Sequence, residues 1–251
     1  MRRLAEMTWP EVAGLPRERS VFLLPVGATE AHGPHLPLCT DDLIAEAMAA
    51  EGASLLEARG LETVLAPTLS LTPAPFASEL PGTLSLAAEA APLQVESVGR
   101  SLAAAGFRHL AIVNAHFDPA NVGALRRAVA TLGAETALAV AFPDLTRRSL
   151  AARLTEEFRS GACHAGRYEG SIVLAVRPDL FREEVARGLP PHPVSLVTAM
   201  AEGRKTFREA GGDRAYFGDP AAASAEEGRE ILRILGQILA EAVLANLDPT
   251  Q

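Results

Sequence analysis

Val21-Phe-Leu-Leu-Pro-Val26 is an unbroken apolar run in a chain of 251 residues. A strand of that kind offers no polar face to water, so it must be covered on both sides. The segments after it alternate in the way such coverage demands. Asp41–Arg59 reads as an Ala/Leu/Glu-rich helix whose acidic start suits the helix dipole. Leu61–Ala66 reads as a second strand, and Leu84–Ala105 as a helix capped by Ser85. His109–Val113 is a third apolar strand, and Pro119–Leu132 a helix with proline in its first turn. Thr136–Ala141 is predicted as a strand, Leu145–Ser160 as a helix and Ser171–Val176 as another strand. The last helix is the plainest. Ser224-Ala-Glu-Glu227 has the form of a capping box, and Ile231, Leu235, Ile238 and Ala242 then recur at helical spacing.

This alternation predicts an α/β architecture with a mostly parallel central sheet between helix layers. No internal repeat or low-complexity linker breaks the chain, so residues 1–251 are expected to form one domain. Three Pro/Gly-rich stretches, Thr72–Gly82, Gly188–Pro193 and Gly211–Pro220, are long for idle connections and read as functional or interface loops.

Composition closes off several classes. With 48% hydrophobic and 22% charged residues the chain is not disordered. Its apolar runs are far shorter than the roughly 20 residues needed to span a bilayer, so no membrane partner is expected. No apolar segment follows Arg2-Arg3 as a signal peptide would require, and a cytoplasmic location is the expectation. A net charge of −8 repels phosphate, so no nucleic acid is expected as a partner. Cys39 and Cys163 are too few for a disulfide framework.

Polar chemistry gathers in three segments, each beside a predicted strand. The first runs from Gly27 to Asp42 and holds Glu30, His32, His35, Asp41 and Asp42. Glu30 and His32 are two apart, so in an extended chain they point the same way. Asp41 begins the next helix and can turn back to them. A carboxylate–imidazole–carboxylate set suits zinc or manganese. The second segment, Asn114-Ala-His116-Phe-Asp118-Pro-Ala-Asn121, repeats the spacing with His116 and Asp118. Asp118 precedes a helix, and capping competes there with metal ligation. In a parallel sheet both segments lie at the carboxyl edge, where such folds bind ligands. The third, Cys163-His164-Ala-Gly-Arg167-Tyr168-Glu169-Gly-Ser171, offers His164 and Glu169 as acid/base groups. Ser78, Phe117 and Tyr168 are the candidate substrate contacts. No nucleophile elbow and no phosphate-binding glycine loop is present, and His109 and His192 stand apart from the clusters as structural or exposed.

At these segments the chain resembles the creatininase (creatinine amidohydrolase) family. The residues that carry the resemblance are PVGATEAHGPHLPLCTDD from Pro25, NAHFDPAN from Asn114 and HAGRYEGS from His164. TWPEV at Thr8–Val12, LPGTLSL at Leu80–Leu86 and FGDPAAASAEEG at Phe217–Gly228 are similar to further family segments. The resemblance implies a three-layer α/β sandwich and a hydrolase with two divalent metal ions per subunit, Zn, Mn or Fe. It places Glu30, His32, Asp41, His116 and Asp118 as metal ligands, with Asp41 as the bridge and Asp118 where creatininase itself has glutamate. His164 and Glu169 fall on the proton-handling positions, and His35 on an outer position. It also implies a homo-oligomer, a hexamer.

The function expected is metal-dependent cleavage of a C–N bond in a small amide, cyclic amide or formamide by an activated water. A peptidase trimming a short peptide, as in mycofactocin maturation, is the alternative within the family. A catalytically inactive metal-binding or scaffold protein is the alternative outside it, and the intact Glu30, His32, Asp41 and His116 argue against that. Creatinine fits poorly as substrate. The family's tryptophan wall before the His-Ala-Gly element is missing, and the single tryptophan is Trp9.

Overall fold

The computed structural model describes residues 1–247. Five strands form one sheet: β1 (Arg2–Arg3), β2 (Ser20–Val26), β3 (Glu62–Leu65), β4 (His109–Asn114) and β5 (Ala139–Ala141), in the order β1-β3-β2-β4-β5. Every neighbouring pair is parallel. The helices are α1 (Trp9–Ala13), α2 (Thr40–Glu57), α3 (Ala91–Ala104), α4 (Pro119–Glu135), α5 (Arg148–Ala151), α6 (Glu156–Ser160), α7 (Arg167–Val176), α8 (Glu183–Arg187), α9 (Leu196–Ala201) and α10 (Ala225–Leu247).

The run around Val21–Val26 lies at the centre and is buried throughout. Its side chains divide by parity, as a pleated strand requires. Val21 and Leu23 face a core with Ile44, Met48, Leu235 and Leu239, from α2 and α10. Phe22, Leu24 and Val26 face a second core with Val95, Leu102, Leu125 and Leu132, from α3 and α4. The result is the α/β architecture expected from the alternation, an all-parallel sheet between two helical layers.

Three elements differ from the sequence expectation. Ser171–Val176 is not a strand but the second half of α7. An apolar run of six residues suits either element, and tertiary packing decides. Here α7 lies against α10, and Gly228 makes the approach possible, since a Cβ on it would collide with the Ser171 carbonyl. The same contact rewires the predicted capping box. Ser224 Oγ accepts from the Glu227 N–H at 3.2 Å as expected, but the Ser224 N–H donates to Ser171 Oγ at 2.9 Å. The Glu227 carboxylate turns to Ser171 Oγ and Arg167 instead of closing the box.

The predicted helix from Leu84 starts only at Ala91. Residues 83–87 have no regular structure and residues 88–90 form a turn, with Leu84 N–H donating to the Thr29 carbonyl and Leu86 N–H to that of Thr72. Ser85 Oγ, expected as a cap, accepts from the Ala74 N–H at 2.9 Å. Leu145–Ser160 breaks into α5 and α6, and Thr155 caps the second piece. Among the described residues no helix is long and apolar enough to cross a membrane.

Candidate metal centre

The register of the two central strands builds the site. Val26 at the end of β2 pairs with Asn114 at the end of β4. The loops that follow therefore leave the carboxyl edge side by side, one carrying Glu30 and His32, the other His116. Gly27 lets the first loop pass close over the start of α2, because a Cβ there would collide with Asp42. That approach brings Asp41, in the first turn of α2, under both loops. His164 and Glu169 arrive from the loop before α7 and its first turn.

Glu30, His32, Asp41, His116, His164 and Glu169 are all buried. They form three overlapping donor groups whose ligand atoms lie within 4.8 Å of one another: Glu30–Asp41–His116, His32–Asp41–Glu169 and Glu30–His32–His164. Asp41 is shared between the first two. Its Oδ2 lies 3.1 Å from His116 Nδ1, and its Oδ1 lies 3.2 Å from His32 Nε2. Glu30 Oε1 is 3.3 Å from His116 Nδ1, and Glu169 Oε2 is 3.5 Å from His32 Nε2.

Each imidazole is tied to a backbone carbonyl through its other nitrogen. His32 Nδ1 lies 3.2 Å from the Glu30 carbonyl, His116 Nε2 lies 2.8 Å from that of Pro73, and His164 Nε2 lies 2.9 Å from that of Ala31. A carbonyl only accepts, so these nitrogens carry the protons and the opposite nitrogens face the carboxylates. His32 Nε2, beside Asp41 Oδ1, and Asp41 Oδ2, beside His116 Nδ1, are buried and make no well-directed hydrogen bond. Buried ligand atoms gathered within 4.8 Å of one another yet left without a hydrogen-bond partner suit a bound cation.

The electrostatics agree with a cation site. Burial works against charge on His32, but Asp41, Glu169 and Glu30 outweigh it and push that imidazole up to about 10. His116 is likewise raised, burial being outweighed by Glu30 and Asp41. The carboxylates thus draw positive charge strongly enough to protonate neighbouring rings. His164 differs: burial and the His32 charge push it down to about 4, leaving a neutral ring. Burial raises Glu169 to about 8, helped by Asp41 and Glu30 and opposed by His32 and by the Ala165 N–H. That N–H donates to Glu169 Oε2 at 2.6 Å.

Asn114 and Asn121 fix the backbone of His116. Asn114 Nδ2 and Asn121 Nδ2 both donate to the His116 carbonyl, at 2.8 and 2.9 Å, and Asn121 Nδ2 also reaches Asn114 Oδ1. Asp118 stands outside the donor groups. Its Oδ1 accepts from the Ala120 N–H at 2.8 Å and caps α4, and its Oδ2 takes the Phe76 N–H at 3.4 Å. His35 is fully buried with neither ring nitrogen hydrogen-bonded, and packs edge-on against Phe181. Burial, helped by the His32 charge, pushes it down to about 4.

A cavity of about 430 Å³ opens over the cluster. Glu30, Asp41, His116, Asp118, His164 and Glu169 line it, as does Phe117. Ser78 and Tyr168 do not. Ser78 is exposed and donates to the Pro75 carbonyl, while Tyr168 is buried behind Phe158, ring centroids 4.9 Å apart. Residues that sequence reasoning passed over complete the walls, among them Phe158, Arg159, Leu196, Met200 and Phe207. Phe207 packs on the His164 ring at 4.4 Å. Cys163 also lines the cavity, but burial, Glu169 and Glu157 push its thiol up to about 12, far from a nucleophilic thiolate.

The mycofactocin precursor peptide peptidase of Mycobacterium tuberculosis is 36% identical over 224 residues, covering 86% of this chain and 82% of that protein. The creatinine amidohydrolase of Pseudomonas putida is 25% identical over 268 residues, covering 98% of both. A putative creatinine amidohydrolase of Bacteroides fragilis superposes with a TM-score of 0.75 at 24% identity, over 98% of this chain and 96% of that one. A creatininase in its Mn form superposes with a TM-score of 0.73 at 23% identity, over 98% and 99%. The sequence model for creatininase, creatinine amidohydrolase, matches residues 5–243, and the chain belongs to the creatininase family of hydrolases.

Proposed function

We propose that the protein is a metal-dependent amidohydrolase that cleaves a C–N bond of a small amide, cyclic amide or formamide with an activated water. The observation that carries this reading is the double anchoring of the cluster. Three imidazoles are each tied to a backbone carbonyl on one side and turned to shared carboxylates on the other. Asp41 places one oxygen toward each of two donor groups, as a bridging ligand between two ions would. Glu30, Asp41 and His116 are proposed to hold one divalent ion, and His32, Asp41 and Glu169 the other. Solved relatives described as Mn and Zn–Zn forms support a divalent pair of this kind.

Such ions supply a water made acidic enough to give hydroxide near neutral pH and a positive centre for the amide carbonyl. The residues supply the rest. Glu169 takes the ligand place expected of Asp118. Asp118 instead presents a capped carboxylate to the cavity beside His116, raised from its usual range by burial. His164, neutral and facing the cavity, handles the proton for the leaving nitrogen. The apolar walls keep bulk water from the bond under attack.

A peptide substrate is the second reading, favoured by the higher identity to the peptidase than to the creatinine amidohydrolase. One domain, a cytoplasmic location and a homo-oligomeric assembly are proposed with the function. The test is hydrolysis by metal-reloaded protein of a panel holding formamides, lactams, short peptide amides and creatinine. Cleavage of an amide that stops on chelation and returns with Mn²⁺ or Zn²⁺ supports the reading. Creatinine is expected among the poorest, because losing one aromatic stacking contact costs about 0.5–1.5 kcal/mol beyond buried area. A metal-loaded protein that cleaves nothing in the panel would point to an inactive scaffold.

A further inference from the structure

The cavity is lined by side chains of both charges. Its floor is the carboxylate cluster, whereas Arg148 and Arg159 are the basic side chains that line it, both on exposed residues. The arginines around them are spoken for. Arg126 and Arg147 lie on Asp144, Arg153 pairs with Glu241, and Arg167 with Glu227. Arg148 and Arg159 have neither an ion pair nor a side-chain hydrogen bond among the described residues. Apolar side chains line the same cavity, from Phe117, Phe158, Leu196 and Phe207.

We infer that Arg148 and Arg159 form the anion-recognition end of the substrate site, selecting amides that bear a carboxylate beyond an apolar or aromatic segment. The inference rests on the reading of the floor as the amide-cleaving centre for where the scissile bond lies. The planar guanidinium fork matches a carboxylate, and a charge-assisted pair is stronger than a neutral hydrogen bond.

The test uses two matched pairs on the metal-loaded protein. Binding of 4-(acetamidomethyl)benzoate and of 4-(acetamidomethyl)benzamide is measured by ligand-observed NMR. Hydrolysis is followed with 4-(formamidomethyl)benzoate and 4-(formamidomethyl)benzamide. The acid should bind at least roughly tenfold tighter than the amide, the scale of one charge-assisted hydrogen bond. In Arg148→Gln/Arg159→Gln the preference should collapse to about twofold or less, while Arg148→Lys/Arg159→Lys should retain part of it. Raising the salt concentration should shrink the preference in the wild type. Equal binding of acid and amide would overturn the inference. So would a preference that survives in the double Gln variant, because the metal centre would then be the anion receptor. Arginine-dependent acid binding without hydrolysis of either formyl compound would uphold the anion end and count against the amidohydrolase reading. Hydrolysis of both at equal efficiency would do the reverse.

Discussion

The floor and the walls of the cavity are built by different kinds of structure. Glu30, His32, Asp41 and His116 stand at the carboxyl edge of β2 and β4 or on the first turn of α2, fixed by strand register and by carbonyl anchors. Phe158, Arg159, Leu196, Met200 and Phe207 come from α6, α9 and the segment after it, short elements outside the sheet. The contrast separates two tasks. The sheet edge holds the groups whose positions chemistry cannot relax, while the peripheral segments shape what may enter. Relatives can therefore share a floor and differ in substrate.

Substitutions can break this division, and the largest effect belongs to the floor. Asp41→Ala should remove most bound metal and lower amide hydrolysis by at least roughly 10²-fold, the upper range seen when even partners of metal ligands are lost. Elemental analysis and rate should fall together. Full metal occupancy in this variant would remove the bridging role.

Within the floor, His116→Ala and Asp118→Ala should part ways. His116→Ala should lose metal. Asp118→Ala should keep it, lose activity to a smaller extent, and unfold with about 0.5–2 kcal/mol less stability, because a helix cap is gone. Metal titration and denaturant unfolding of both variants separate the roles, and equal metal loss would make Asp118 a ligand.

A wall substitution should spare the metal. Phe207→Leu keeps most of the volume and forfeits the contact with the His164 ring, worth about 0.5–1.5 kcal/mol. Amide hydrolysis should fall by up to roughly tenfold, through KM or through the placing of the His164 ring, with metal content unchanged. Lost metal would show that walls and floor are not separable.

The smallest effect is expected beside the site. Asp144 is buried and accepts from Thr146 and Arg126, contacts that outweigh burial and hold its carboxyl below the usual range. A depressed folded-state pKa gives stability that is present above the unfolded value near 3.9 and is lost as pH falls through the folded value. Asp144→Asn should therefore cost about 1 kcal/mol at pH 7, Arg126 being half exposed. The gap between wild type and variant should close below about pH 4 in urea melts.

The same division marks what was legible in the sequence. The apolar run at Val21–Val26 demanded cover on two faces, and parity then sent Leu23 and Leu24 to opposite cores. Spacing and strand ends located Glu30, His32, Asp41 and His116, because a parallel sheet brings its carboxyl edges together without further information. The element at Ser171–Val176 was misread because a short apolar run has no period of its own, and the deciding fact, the close pass of Gly228, lies more than fifty residues on. Phe207 and Arg159 carry no local signature at all. Their place depends on how α6 and α9 fold over the sheet, which periodicity does not encode. Asp118 showed both of its possible roles in sequence, and only the Ala120 and Phe76 contacts set the cap apart from the cluster.

The central claim is that the anchored carboxylate–imidazole floor is a divalent metal centre that drives amide hydrolysis. Native mass spectrometry of chelator-stripped protein, reloaded stepwise with Mn²⁺ or Zn²⁺ while amide cleavage is followed in the same samples, tests it most directly. The account predicts two ions bound per chain and activity that is absent in stripped protein and rises with loading. A chain that retains no ion, or one whose amide cleavage is undiminished after stripping, would contradict it.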